Sequence, residues 1–63
     1  MYEILLKQYR EEAGITLRQL SAATGISIST LSTIERNESD PRMSTVVELA
    51  KFFDCNLSDF IKF

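Results

Sequence analysis

The most constraining feature of this sequence is a very short break between two segments with helical apolar spacing. The first segment begins at Thr16 and stops at Gly25, and only Ile26 separates that glycine from Ser27. Ser27 is a favourable N-cap residue, so another helix is expected to begin there. A turn of three or four residues that contains glycine does not let two helices run antiparallel, and it makes them cross at about 90–120°. The sequence therefore predicts two short helices held at a steep angle.

Apolar residues at helical spacing predict three further helices. A first helix covers residues 2–13, and Gly14 follows it as a cap that tolerates a left-handed backbone. A polar loop at residues 36–42 separates the central pair from a fourth helix at about residues 43–53. A short fifth helix that contains Leu57, Phe60 and Ile61 is expected after Asn56, which is a suitable N-cap residue. The predicted fold class is all-α, with five short helices packed around one core.

A capping signal supports the start of the second helix. Thr16 followed by Gln19 fits a capping box, in which each side chain bonds to the backbone amide of the other residue. The start of the fourth helix has two solutions. Either Asp40 caps it with Pro41 at the first helical position, or the helix begins nearer Ser44.

The composition argues against catalysis, metal binding and secretion. The chain has one cysteine, Cys55, and no histidine. An intrachain disulfide is therefore impossible, a zinc site has almost no ligands, and the usual general base is missing. The N-terminus carries Glu3 where a signal peptide is positively charged, and no apolar run approaches the roughly 18 residues that span a bilayer. We expect a cytoplasmic protein that is not an enzyme and has no cofactor, no small-molecule ligand and no membrane partner.

Residues spread along the whole chain form a pattern with defined spacing. They are Thr16-Leu17-Arg18-Gln19-Leu20-Ser21, Thr24-Gly25-Ile26-Ser27, Leu31, Ile34-Glu35-Arg36-Asn37, Pro41, Leu49-Ala50-Lys51 and Asn56-Leu57-Ser58-Asp59-Phe60. This pattern resembles the phage repressor and Cro type of helix-turn-helix, the XRE family. The resemblance implies a lambda-repressor-like DNA-binding domain over residues 1–63, with the motif at about residues 16–36. A start at Met1 favours an intact small protein, and a domain of a larger regulator is the alternative.

The resemblance also implies a function and a structural ion pair. Proteins of this type bind palindromic operators in double-stranded DNA as two-fold dimers, with the third helix in the major groove. The expected function is therefore that of a sequence-specific transcriptional regulator acting as a homodimer, and family habit favours repression. The family's internal ion pair falls on Arg10 and Glu35, where it joins the first helix to the third and does not read DNA.

The exposed face of the third helix supplies the candidate base-reading residues. The set is Ser27, Ile28, Ser29, Thr30, Ser32 and Thr33. Family position directs Ile28, Ser29 and Thr33 towards base edges, and an outward Ile28 suits a thymine methyl group. Two plainer interpretations stay open. Ile28 lies near the edge of the buried stripe and can complete the core with Leu31, and a run of hydroxyls is also typical of a solvated helix face.

Phosphate contacts need cations or unpaired backbone amides. The candidate set is Thr16, Leu17, Arg18, Arg36, Asn37 and Arg42. The arginines lie near the motif, and the first amides of the second helix can hold a phosphate. Three cations in each protomer are few, so we expect one protomer to bind poorly and a dimer to be required.

Several features weigh against strong DNA binding. The net charge is −2, although a basic patch is the usual mark of a nucleic-acid-binding domain. Leu17 stands where the family usually has glutamine, and the loop that is often basic contains Glu38 and Asp40. Asn37 stands where the family has glycine, but asparagine tolerates a left-handed backbone nearly as well. The acidic balance and Leu17 favour an alternative function for the same fold, a protein-interaction module such as an antitoxin-like or anti-repressor partner.

Large apolar residues near the C-terminus predict a dimer interface. The candidate set is Leu57, Phe60, Ile61 and Phe63. Some of these side chains must fill the core, but the last residue, Phe63, has little reason to be buried within one protomer. Exposed apolar patches commonly mark association sites, so we expect a homodimer through the fifth helix and the C-terminus.

Overall fold

A computed structural model describes residues 2–38 and 41–62 of the chain. In this part of the chain, five helices and two short strands follow one another in the order β1 (Glu3–Ile4), α1 (Leu6–Ala13), α2 (Leu17–Thr24), α3 (Ile28–Glu35), α4 (Met43–Phe52), α5 (Leu57–Phe60) and β2 (Ile61–Lys62). The predicted architecture of five short helices is confirmed. The two strands are an addition to it.

The N-terminal residues form a strand where a helix was predicted. Glu3 pairs with Lys62 and Ile4 pairs with Ile61 in an antiparallel sheet that joins the two ends of the chain. The first helix therefore begins at Leu6 and not at residue 2, and Ile61 belongs to β2 and not to the fifth helix. The amide of Leu5 donates a 2.9 Å hydrogen bond to the carbonyl of Phe60, which extends this connection into α1.

The starts of α2 and α3 follow the capping signals in the sequence, whereas the side chain of Asn56 makes no capping hydrogen bond at the start of α5. Thr16 Oγ1 accepts a 3.0 Å hydrogen bond from the Gln19 amide, and Gln19 Oε1 accepts a 2.8 Å bond from the Thr16 amide, which completes the predicted capping box. Gly25 ends α2 with φ 77°, in the left-handed region that favours glycine. Arg42 occupies the N-cap position of α4, so Pro41 lies outside that helix, and Asp40 lies outside the described residues.

A single apolar core fixes the helices against one another. Its fully buried side chains come from every helix: Leu6, Leu20, Leu31, Ile34, Val46, Leu49 and Phe60. Ile4 and Ile61 extend this core into the sheet, where they are 3% and 6% exposed. The core therefore reaches both strands and supports the inner faces of α2 and α3.

Cys55 lies in the surroundings of a packing residue and not of a reactive thiol. Cys55 is half-buried against the core, and this burial raises the pKa of its thiol, which keeps it protonated. Among residues 2–38 and 41–62, no group of three or more acidic or thiol side chains is placed to hold a metal ion. No helix in the same part of the chain is both long enough and apolar enough to cross a membrane.

Candidate nucleic-acid interface

The turn between α2 and α3 is held by local hydrogen bonds. The Gly25 amide donates to the Ser21 carbonyl at 2.8 Å. Thr24 Oγ1 donates to the Leu20 carbonyl at 2.8 Å and accepts a 3.3 Å bond from the Ile26 amide. The side chain of Ile26 is half-buried and packs against the core. These contacts fix the direction in which α3 leaves the turn.

Ile28 lies on the outer face of α3. Its side chain is 43% exposed, whereas Leu31 and Ile34 on the inner face are 0% and 1% exposed. The interpretation of Ile28 as a core residue is therefore wrong. An apolar side chain this exposed at the start of α3 is available to contact a partner.

Most of the hydroxyl groups on α3 already have partners within the chain. Ser27 Oγ accepts a 3.2 Å hydrogen bond from the Thr30 amide and donates to Thr30 Oγ1 at 2.8 Å. Thr33 Oγ1 donates to the Ser29 carbonyl at 2.8 Å. Within residues 2–38 and 41–62, the hydroxyl of Ser29 has no hydrogen-bond partner. Ile28 and Ser29 are therefore the members of the base-reading set whose side chains are least committed elsewhere.

A groove of about 510 Å³ runs between α3 and the start of α4. Ser27, Ser29, Thr30 and Thr33 line it on the α3 side, and Pro41, Arg42 and Thr45 line it on the other. The structure thus brings most of the base-reading set next to one of the candidate phosphate-binding arginines. Arg42 is exposed at the N-terminal end of α4, where the helix dipole also favours an anion.

The start of α2 offers backbone amides to an anion. The capping box engages the amides of Thr16 and Gln19, so the amides of Leu17 and Arg18 are the ones that an anion can approach. The side chain of Leu17 is half-buried and packs against the core. It can therefore assist phosphate binding through its amide alone, whereas Arg18 is exposed and can contribute its charge.

Asn37 has a structural role that the sequence did not reveal. Its φ of 54° lies in the left-handed region, and its Oδ1 accepts a 2.9 Å hydrogen bond from the Ile4 amide. This bond connects the end of α3 to β1 and engages the side-chain oxygen of Asn37. Only the side-chain nitrogen, Nδ2, can therefore make the predicted phosphate contact.

Arg10 and Glu35, the residues expected to pair, form a bidentate ion pair. Arg10 Nε lies 2.5 Å from Glu35 Oε2, and Arg10 Nη2 lies 3.2 Å from Glu35 Oε1. Arg10 Nη1 also donates to the Ile15 carbonyl at 2.8 Å, just before α2 begins. The hydrogen bond to Glu35 raises the pKa of Arg10. The guanidinium of Arg10 thus connects α1, the start of α2 and the end of α3. Because these contacts engage it, we do not assign Arg10 to DNA binding.

The predicted dimer surface needs a correction. Phe60 is 0% exposed and Ile61 is 6% exposed, because both fill the core beneath α5 and β2. They cannot also present their side chains to a second copy. Leu57 is 37% exposed and stays available, whereas Phe63 lies outside the described residues.

Comparison with known proteins agrees with this geometry. The profile of the helix-turn-helix family matches residues 6–60 of the chain. The chain belongs to the helix-turn-helix family. The resemblance to the XRE type is thereby confirmed. The crystal structure of a candidate DNA-binding protein from Bacteroides fragilis has the same helix-turn-helix fold, with a TM-score of 0.86 and 26% identity over 98% of this chain and 100% of that one.

Curated helix-turn-helix relatives include transcriptional regulators from bacteria and an archaeon. SutR of Escherichia coli K12 is 43% identical over 56 residues, which are 89% of this chain and 32% of SutR. PuuR of the same organism is 33% identical over 87% of this chain and 30% of PuuR. An uncharacterized regulator of Methanocaldococcus jannaschii is 33% identical over 86% of this chain and 82% of its own length. The chain thus spans about a third of each of the two E. coli regulators.

Two contacts of this helix-turn-helix domain escaped the sequence analysis. The hydrogen bond from the Ile4 amide to Asn37 Oδ1 joins residues 33 positions apart, so no local sequence pattern predicts it. Arg36 Nη1 donates to Ser32 Oγ at 2.6 Å, which is a contact between neighbours on one helix face. The spacing of four residues was a usable signal for this second contact.

Proposed function

We propose that this helix-turn-helix domain is the DNA-binding domain of a sequence-specific transcriptional regulator. The regulator acts as a repressor and binds a palindromic operator as a homodimer. The observation that carries the proposal is the outward Ile28 and Ser29 at the start of α3, on a helix that the core and the turn hold in place. The names of the relatives support a regulatory function and not an enzymatic one. We propose a cytoplasmic location as well, because the named regulators come from bacteria and an archaeon, whose DNA lies in the cytoplasm.

The proposed mode of binding sets α3 in the major groove. Ile28 then meets a thymine methyl group, and Ser29 bonds to a base edge with its uncommitted hydroxyl. Arg42, Arg18 and the amides at the start of α2 contact phosphates on either side. The backbone contacts position the domain, whereas Ile28 and Ser29 supply the sequence preference.

Two observations favour a second candidate, a protein-interaction module of the same fold. The net charge of −2 opposes association with DNA, and Leu17 packs its side chain against the core where a polar residue would face a phosphate. A module of this kind is not expected to bind duplex DNA, even at low salt. The two candidates therefore differ in a single binding measurement.

The salt dependence of duplex binding tests the proposed function. Each protomer contributes Arg18, Arg36 and Arg42, which gives six arginines in a dimer. If all six neutralise a phosphate, the slope of log K against log salt concentration is about −5. Fluorescence anisotropy on a labelled duplex between low and physiological salt measures this slope. Measurable affinity with a slope near zero contradicts the proposed contacts, and no affinity at low salt contradicts DNA binding itself.

A further inference from the structure

Arg36, one of the three arginines assigned to phosphate, is held by two groups of its own chain. Its Nη1 donates to Ser32 Oγ at 2.6 Å, and its Nε lies 3.0 Å from Glu38 Oε1. Both side chains of the ion pair are more than half exposed, at 55% for Arg36 and 58% for Glu38. The pair therefore lies on the surface, where a phosphate can also reach Arg36.

We propose that Glu38 is an intramolecular competitor that occupies Arg36 and lowers the affinity of the domain for DNA, and that Ser32 positions Arg36 instead of reading a base. The proposal rests on the proposed function, since it concerns the strength of the same DNA contact. A carboxylate and a phosphate both bind a guanidinium through oxygen acceptors, so the two anions compete for the same donors.

The backbone after α3 brings Glu38 back towards Arg36. The Asn37 amide donates to the Ile34 carbonyl at 3.0 Å, and the Glu38 amide donates to the Thr33 carbonyl at 3.2 Å. Asn37 takes the left-handed conformation that this turn requires, with φ 54°. Because the turn fixes the backbone of Glu38, forming the ion pair orders little more than the two side chains.

Ser32 restricts Arg36 from the other side. Its hydroxyl is half-buried one helical turn before Arg36 and accepts the Nη1 hydrogen bond. This orientation leaves the Nε side of the guanidinium for an ion pair, which is formed with Glu38 in the free protein and with a phosphate in the complex. The assignment removes Ser32 from the base-reading set, because its interaction with DNA passes through Arg36.

Glu38→Gln tests the competition, and Glu12→Gln is the matched control. Both substitutions remove one negative charge from an exposed side chain, but Glu12 lies on α1. An exposed ion pair has a small free energy, and a dimer contains two of them, so we expect Glu38→Gln to bind duplex DNA about three- to tenfold more tightly. Its salt slope is expected to stay close to that of the unmodified domain, because Arg36 contacts a phosphate in both complexes. Glu12→Gln is expected to change the affinity by less than about twofold.

A double-mutant comparison separates competition at Arg36 from general charge repulsion. In an Arg36→Gln background, Glu38→Gln is expected to lose its effect on affinity, because the group for which Glu38 competes is absent. An equal gain in both backgrounds overturns the proposal, as does an unchanged affinity of Glu38→Gln in the original background. Circular dichroism and thermal unfolding of each variant verify that the fold is intact.

The outcomes also separate this inference from the proposed function. If the unmodified domain binds DNA and Glu38→Gln binds no better, the inference fails and the proposed function stands. If both proteins bind and Glu38→Gln binds about three- to tenfold more tightly, both proposals are supported. If neither protein binds a duplex at low salt, both proposals are overturned.

Discussion

Phe60→Ala is expected to destabilise the domain by about 3–5 kcal/mol, as large-to-small changes of buried aromatic residues do. Phe60 is 0% exposed, and its ring centroid lies 5.4 Å from that of Tyr9 and 6.2 Å from that of Phe53. Its carbonyl also accepts the hydrogen bond from the Leu5 amide, so its position affects the junction of the sheet with α1. A domain of this size has a total stability of about 3–9 kcal/mol, so the variant is expected to be largely unfolded at 37 °C.

Urea unfolding followed by circular dichroism measures this effect, and Phe52→Ala is the matched control. Phe52 is an aromatic residue on the neighbouring helix that is 43% exposed, so its loss is expected to cost about 1 kcal/mol or less. A Phe60→Ala variant with unchanged unfolding but a lower solution mass would contradict the structure. It would return Phe60 to the dimer interface that the sequence analysis predicted.

Glu35→Ala is expected to lower the free energy of unfolding by about 2–3 kcal/mol, because it leaves the charge of Arg10 largely buried without its partner. The two side chains are 16% and 9% exposed, so the effect is expected to be smaller than the 3–5 kcal/mol typical of fully buried pairs. In a domain of this size the melting temperature is expected to fall by about 10 °C or more.

Two further variants show whether the loss comes from the stranded charge. The double substitution Arg10→Met with Glu35→Leu removes both charges and is expected to recover most of the lost stability. Glu48→Ala removes an exposed acid of α4 and is expected to change the melting temperature by only a few degrees. If Glu35→Ala and Glu48→Ala melt at the same temperature, the ion pair does not hold α1 to α3.

The central motif could be predicted because its signals are local. Apolar periodicity, the capping box at Thr16, the glycine at position 25 and the N-cap at Ser27 all act within a few residues, and the structure contains each of them. The sequence did not decide at which residue α4 begins, because Asp40–Pro41 and Ser44 are both plausible starts. The structure selects Met43 as its first residue.

The terminal sheet could not be predicted for a physical reason. Each strand has two residues, too few to show an alternating pattern, and the pairs Glu3–Lys62 and Ile4–Ile61 join opposite ends of the chain. The same limit explains the error at Phe60 and Ile61. A count of apolar residues near the C-terminus does not distinguish side chains that fill the core from those that face a partner.

The exposed face of α3 that forms the candidate site could be predicted from the sequence, but the contacts of its single side chains could not. The exposed face of α3 follows from periodicity, which places Leu31 and Ile34 inward. Periodicity does not show that Ser32 is bonded to Arg36 or that Thr33 is bonded to its own helix, because those contacts depend on rotamers. The hydroxyl groups of α3 are therefore unequal, and the structure singles out Ser29.

Selection of binding sites from a random pool of duplex DNA, at low and then physiological salt, shows whether α3 reads a DNA sequence. We expect enrichment of a palindrome whose half-sites are about 10–10.5 base pairs apart, with a thymine preference in each half-site that Ile28→Ala weakens. A pool that shows no enrichment even at low salt would contradict the assignment of α3 as a DNA-reading helix and would favour a protein partner.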